Sequence, residues 1–192
     1  MQPADNPLLV AARDLVTALA ELGLAPAIIG GVAVSLIAEP RHTDDLDALI
    51  VFDTADADAL LAALDRHGFN PRFSDMADLA RRARMVTMIH NRTGTVVDIA
   101  LGCMPFETEL LERSIPYDLG GISVQIPTPE DLVIMKAIAG RPKDLEDIRS
   151  MSRAYPDMDR SRIHDWIDQY GELLENPGLW GEIESVLIGE MN

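Results

Sequence analysis

The segment Asp45-Leu46-Asp47-Ala48-Leu49-Ile50-Val51 constrains the fold more than any other part of the chain. Its apolar run reads as a buried β-strand, and two carboxylates stand two residues apart at its head. Side chains on a strand alternate between faces, so residues i and i+2 point the same way and these carboxylates converge. Acids gathered at the edge of a core are costly, whereas a divalent cation turns their repulsion into coordination. A solvated loop before the strand would satisfy the same residues, and on this segment alone both readings stand. Upstream, residues 27–30 read as a short strand and residues 31–38 as a helix closed by Pro40, giving the order strand, helix, strand.

The chain supplies controls for so short a motif. With 32 acidic against 16 basic residues and a net charge of -16, Asp-x-Asp pairs arise readily, and Asp56/Asp58 and Asp157/Asp159 are two more. Asp56 and Asp58 open an Ala/Leu-rich helix, where acids suit the positive end of the helix dipole and diverge by about 200° around the axis. Asp157/Asp159 follows Pro156 and can cap the next helix. Asp45/Asp47 differs because it runs straight into an apolar strand.

The charge also bears on partners. The largest basic cluster is Arg81, Arg82 and Arg84. Phosphate contacts need concentrated positive charge, so general nucleic-acid binding is disfavoured. The longest apolar stretch, residues 25–38, is interrupted and shorter than the roughly 20 residues of a membrane span. The first residues lack the basic and apolar pattern of a signal peptide. Cys103 stands alone, read as a small residue at the core edge, and offers neither a disulfide nor a cysteine zinc site. A soluble, cytoplasmic protein is expected.

Leu8, Ala12, Leu15, Val16, Leu19 and Leu22 recur at helical spacing after Asp5 or Asn6 and Pro7, predicting a first helix that ends by Gly23. Residues 53–67 read as a helix, and residues 85–90 and 95–101 as strands around the turn Asn91-Arg92-Thr93-Gly94. A helix over 106–113 precedes a second hairpin, 115–119 and 122–126, around Gly120-Gly121. Helices dominate after Pro127: one capped by Thr128 and running to Gly140, then 142–153, 159–170 and 180–188. The expected class is α/β (α+β), a mixed twisted sheet flanked by helices over residues 1–127 and a helical region over residues 128–192. Trp180, Leu187 and Ile188 would pack on the core or meet a second subunit.

A third carboxylate sharpens the picture. Asp98 lies mid-strand in Val96-Val97-Asp98-Ile99-Ala100-Leu101, where an unpaired acid is expensive unless the strand has a wet face. Three acids on adjacent strands could hold two Mg²⁺, with Mn²⁺ as a substitute. Such ions neutralise a triphosphate, lower the pKa of an attacking hydroxyl and stabilise a pyrophosphate leaving group.

In order and spacing, Gly30-Gly31 after a strand, a helix, Asp45-Leu46-Asp47 and Asp98 on a later strand resemble the motif of the polymerase-β-type nucleotidyltransferases. Arg41-x-Thr43-x-Asp45-x-Asp47 is most similar to the branch holding AbiEii-type toxin nucleotidyltransferases and small antibiotic-modifying nucleotidyltransferases. Lys136 followed by Arg141-Pro142-Lys143-Asp144-Leu145-Glu146-Asp147 resembles the Lys…Arg-x-Lys-Asp-x-x-Asp signature of that branch's helical half. The resemblance spans about residues 26 to 150. Gly31 departs from the Ser of many members, although Gly-Gly forms occur in the antibiotic-modifying branch.

The resemblance implies a nucleotidyltransferase fold whose helical region completes the cleft, and metal-dependent transfer of NMP from an NTP to a hydroxyl with release of pyrophosphate. Asp45, Asp47 and Asp98 would hold the metal, and Asp98 would help activate the acceptor hydroxyl. Gly30 and Gly31 permit close approach of the backbone, and the helix they open suits a phosphate. Arg41 and Thr43 become candidate nucleotide contacts. Lys136, four residues after Leu132, lies on the apolar side of its helix, where an ammonium wants an anion and the triphosphate would provide one; a snorkelling surface lysine reads as well. Asp144 would position the acceptor or Lys136, although acids there also suit the helix dipole alone. His42 reads as a surface imidazole.

The acceptor stays open. A small cationic molecule suits the acidic chain, a hydroxyl on an antitoxin partner is an alternative, and a tRNA end fits the toxin resemblance against the charge. A non-catalytic nucleotide- or partner-binding scaffold, as a toxin–antitoxin component or within a homo-oligomer, is the reading from a different class. A metal phosphodiesterase would want histidines near the carboxylates, and only His42 is close.

Overall fold

In the computed structural model, which describes residues 6–189, the chain divides into two units. One runs up to Ala33 and resumes over His42–Ile126; the other comprises Val34–Arg41 and the chain from Pro127 onward. In the first unit, Asn6 accepts a hydrogen bond from the Leu8 backbone N–H at 2.9 Å, and Pro7 takes the first helical position. These signals start α1 (Pro7–Ala20), whose inner stripe Ala11, Ala12, Leu15, Ala18 and Leu19 is buried.

The chain then forms β1 (Ala27–Ile29), α2 (Gly30–Ile37) and β2 (Leu46–Val51). A 3₁₀ turn, Thr54–Asp56, leads into α3 (Ala57–Arg66), with Asp53 accepting from the Ala55 N–H at 2.9 Å. Next come β3 (Phe69–Pro71), α4 (Met76–Ala83), β4 (Met85–His90), β5 (Val96–Gly102), α5 (Pro105–Arg113), β6 (Ile115–Asp118) and β7 (Ser123–Ile126). The sequence pattern assigns nothing between His67 and Met85, where β3 and α4 lie. β3 is three residues long and carries a proline, and α4 buries only Met76 and Ala80, one helical turn apart, so neither leaves a periodic signal.

The strands make one seven-stranded mixed sheet among the described residues, in the order β3-β4-β5-β2-β1-β7-β6. β2 and β5 run parallel at its centre, β1 pairs antiparallel with β2, and β4 antiparallel with β5. On β4 and β5 the alternation is plain: Val86, Met88, Val97, Ile99 and Leu101 are buried while the intervening positions are half-buried or exposed. His90 is buried beneath Phe69, with one ring nitrogen 3.0 Å from Asp14 Oδ2 and the other 2.8 Å from the Thr93 hydroxyl.

The second unit is helical. Thr128 caps α6 (Pro129–Ala139), and Gly140, at φ +62°, ends it. α7 (Pro142–Ala154), α8 (Arg160–Leu173) and α9 (Leu179–Leu187) follow. Asp159 caps α8 by accepting from the Arg162 N–H at 3.1 Å, so the Asp157/Asp159 control pair has an ordinary role. Leu132, Ile134, Ile148, Met151, Ile163, Ile167 and Ile183 form this unit's core. Trp180 meets the His164 ring edge-on at 4.8 Å; Leu187 is buried and Ile188 exposed. Among the described residues no helix is long and apolar enough to cross a membrane.

Candidate active site

The register of the sheet assembles the first group of chemistry-bearing residues. Ile29 on β1 stands opposite Asp47 on β2, Asp47 opposite Asp98 on β5, and Asp98 opposite Thr87 on β4. Residues in register on adjacent strands share a face, about 4.8 Å apart. Asp47 and Asp98 are therefore side by side, both half-buried. The Thr87 hydroxyl donates to Asp98 Oδ1 at 2.6 Å and fixes the orientation of that carboxylate. Asp45 precedes the strand by one residue and is exposed; the nearby Thr43 hydroxyl donates to the Asp45 main-chain oxygen at 3.4 Å.

Gly30 is required where β1 turns into α2. Its φ is +64°, and a Cβ there would land on the Asp47 carboxylate, 2.6 Å from Cγ and 2.8 Å from its Cβ. The backbone approaches Asp47 as closely as a residue without a side chain allows. Gly31 is buried in the first turn of α2. His42 is exposed and pairs with Asp44 at 2.9 Å, as a surface imidazole would.

The second unit gathers a different set. Lys136 is almost wholly buried, its ammonium 3.0 Å from Asp144 Oδ1 and 2.8 Å from Asp147 Oδ2. Asp147 also takes a two-pronged contact from Arg41, Nε at 2.7 Å and a terminal nitrogen at 3.0 Å. Asp144, at the third position of α7, accepts from the Arg141 backbone N–H at 3.2 Å and from its Nε at 2.6 Å. Burial alone would raise the Asp144 carboxyl, but hydrogen bonds from Arg141 and Lys136, with their charges, outweigh it and hold its pKa below the usual range.

The structure thus brings together Gly30, Asp47 and Asp98 in one unit, and Arg41, Lys136 and Asp144 in the other. Thr87, one residue in an unremarkable strand, carries little sequence signal, whereas Asp147, the acceptor shared by Arg41 and Lys136, is the last acid of the Lys…Arg-x-Lys-Asp-x-x-Asp signature. Cys103, expected at the edge of the core, is exposed. It follows the end of β5 in a turn where its N–H donates to Glu107 at 2.6 Å.

Among the described residues no group of three or more His, Cys, Asp or Glu side chains is arranged to hold a metal ion. The donors that do adjoin, Asp47 and Asp98, are hard oxygen ligands. Mg²⁺ is commonly held by one or two carboxylates completed by water and substrate phosphate, rather than by an all-protein cage, so this pair fits such an ion.

An α/β sheet with a glycine turn packed against one of two in-register aspartates, followed by helices, is the architecture of a small polymerase-β-type nucleotidyltransferase. Residues 12–173 match the family described as nucleotidyltransferase of unknown function (DUF6036), and the chain belongs to that family. No curated protein matches the sequence. Among solved structures, the chain is similar to the antibiotic-resistance factor ANT(2'')-Ia in solution, with a TM-score of 0.59 at 15% identity over 87% of this chain and 92% of that one. It is also similar to an antigenic nucleotidyltransferase-like protein from Paracoccidioides brasiliensis, with a TM-score of 0.56 at 19% identity over 97% and 95% of the two chains. ANT(2'')-Ia in complex with adenylyl-2''-tobramycin gives a TM-score of 0.56 at 15% identity, over 92% and 97%. These likenesses establish the fold.

Proposed function

We propose that this chain transfers NMP from an NTP to the hydroxyl of a small-molecule acceptor, releasing pyrophosphate, with Asp47 and Asp98 as the central pair of a Mg²⁺ site that Asp45 extends. The observation that carries the reading is the register of Asp47 with Asp98, beside a glycine turn whose missing Cβ lets the Asp47 carboxylate lie against the backbone. Bound there, Mg²⁺ would neutralise phosphate charge and favour the leaving pyrophosphate.

The chain's own residues supply the rest. Gly30 and Gly31 let the nucleotide approach the backbone, and the positive dipole end of α2 suits its phosphates. Asp98, oriented by Thr87, takes the proton of the acceptor hydroxyl as its oxygen attacks the α-phosphorus. Lys136 is the proposed triphosphate cation, with Asp144 and Asp147 holding its ammonium in place, and Arg41 and Thr43 are further proposed nucleotide contacts. The adenylylated tobramycin of ANT(2'')-Ia supports a small acceptor over a macromolecule, and the net charge of -16 disfavours tRNA.

Incubation with each α-labelled NTP, Mg²⁺ and an acceptor panel tests the proposal. Labelled product together with pyrophosphate is expected, with both formed more slowly in Asp98→Asn by on the order of 10²–10³-fold. Transfer at the wild-type rate in Asp98→Asn would rule out the assigned base.

A further inference from the structure

The line of residues that crosses the sheet at Asp98 does not end at Thr87. β3 pairs antiparallel with β4, setting Phe69 opposite His90, Asn70 opposite Ile89 and Pro71 opposite Met88. The Arg72 N–H donates to the Thr87 carbonyl at 3.0 Å, which carries the pairing one residue past β3 and sets Arg72 opposite Thr87. Opposed residues share a face, so Asp47, Asp98, Thr87 and Arg72 stand in one line across the sheet. Neighbouring strands are about 4.8 Å apart, which puts the Arg72 backbone about 9.6 Å from that of Asp98, on the side away from Asp47. Arg72 is exposed, with its guanidinium over the ring of Phe73, 5.7 Å from the centroid. Among the described residues no carboxylate pairs with it. The acids nearest in sequence are occupied elsewhere: Asp75 pairs with Arg82 at 3.6 Å and Asp78 with Arg81 at 3.4 Å. A guanidinium stacked on an aromatic face keeps its N–H edges open, in the fork that matches a carboxylate.

We propose that Arg72 selects the acceptor, and that the acceptor is a hydroxy acid, its carboxylate held by Arg72 while its hydroxyl lies at Asp98; the proposal rests on the transferase reading above. Direction is the first argument. The glycine turn at Gly30 lies against Asp47, so a nucleotide held there leaves the Thr87 side of Asp98 to the group that gives up its proton. Charge is the second. The line carries Asp47 and Asp98 at one end and Arg72 at the other. In the transferase reading Mg²⁺ offsets the two carboxylates, and Arg72 is then the charge that an acceptor meets. A carboxylate cancels it with two parallel hydrogen bonds, whereas an ammonium in the same place meets a like charge. The net charge of -16 repels acids at long range, but at physiological salt that repulsion fades beyond about 8 Å, and the contact with Arg72 is shorter. In the transfer the acceptor oxygen forms a bond to the α-phosphorus, the α–β anhydride bond breaks, pyrophosphate leaves with the bonding electrons, and the hydroxyl proton passes to Asp98.

Titration of the full chain, ¹⁵N-labelled and in Mg²⁺, with 6-hydroxyhexanoate, 1,6-hexanediol and 6-amino-1-hexanol decides the matter, because the three share a hydroxyl and a length and differ in the charge at the far end. The Arg72 Nε–H signal is assigned by its absence from Arg72→Gln. The expected result is a saturable shift of that signal and of the Thr87 amide with the hydroxy acid, about fivefold tighter binding of the acid than of the diol, the amine weakest, and no preference for the acid in Arg72→Gln. Equal binding of acid and diol, tighter binding of the amine, a shift at Arg72 without one at Thr87, no shift at all, or a preference that survives in Arg72→Gln overturns the proposal. Mg²⁺-dependent NTP binding, read calorimetrically on the same protein, reports on the transferase reading separately: its absence refutes transfer, and with it the acceptor role, even where the hydroxy acid binds at Arg72.

Discussion

The two charged regions of this chain are handled in opposite ways. On the sheet, Asp47 and Asp98 are placed side by side, half-open, with a glycine backbone and a neutral hydroxyl as close neighbours. In the helical unit, Asp144 and Asp147 are buried, and each has cations against it: Lys136 and Arg141 for one, Lys136 and Arg41 for the other. A buried, compensated cluster is settled as it stands, and removing one member leaves its partners stranded. Adjacent carboxylates on an open face gain most from an added cation. The helical cluster balances its own charges, and the sheet pair is the one suited to an added cation.

That contrast breaks most visibly on activity. Asp47→Asn and Asp98→Asn keep the shape of the side chain and should lower transfer by on the order of 10²–10³-fold, with the thermal midpoint held. A similar loss of stability in either variant would put the pair in the structural class instead. Asp147→Ala should behave the other way round, destabilising the fold by about 3–5 kcal/mol in urea titration as Lys136 and Arg41 lose a shared acceptor. Gly30→Ala combines a left-handed backbone with overlap on Asp47, and a loss of about 2–4 kcal/mol is expected in the same titration. A neutral outcome there would mean that the glycine turn tolerates a shift away from Asp47.

The pH dependence sharpens the comparison further. The folded-state pKa of Asp144 is held below its unfolded value, so its pairs contribute fully above about pH 4 and that contribution is lost as pH falls through the lowered value. Asp144→Asn should flatten the decline of stability below about pH 4; an unchanged profile would assign the decline to other carboxylates. The smallest effect is expected at Asp58, half of the control pair Asp56/Asp58. It pairs with Arg81 on the surface, and Asp58→Ala should shift stability by no more than about 0.5 kcal/mol and leave transfer unchanged.

Much of this was legible in the residues. The Asp47 strand, the Asp98 strand and the hairpin between Met85 and Leu101 followed from their apolar runs and the turn Asn91-Arg92-Thr93-Gly94. The spacing of Lys136 after Leu132 put it on the apolar side of its helix, as an anion partner or a snorkelling surface lysine, and the structure buries it. What could not be read was register. Nothing in Met-Val-Thr-Met-Ile-His says that Thr87 will face Asp98, because the choice between faces and partners is made by strand pairing across the sheet. Asp147 was legible as a helix-dipole acid or as the last acid of the family signature, but not as the partner of Arg41, 106 positions away. The family resemblance set Asp45, Asp47 and Asp98 as equals, whereas the geometry seats two of them in register and leaves Asp45 exposed ahead of the strand.

Calorimetric titration of the four NTPs, with and without Mg²⁺, on the wild type and on Asp47→Asn/Asp98→Asn tests the sheet pair most directly. The expected result is NTP binding that requires Mg²⁺ in the wild type and vanishes in the double variant. Binding that is independent of Mg²⁺, or that persists undiminished in the double variant, would contradict the assignment of Asp47 and Asp98 as the metal-holding pair.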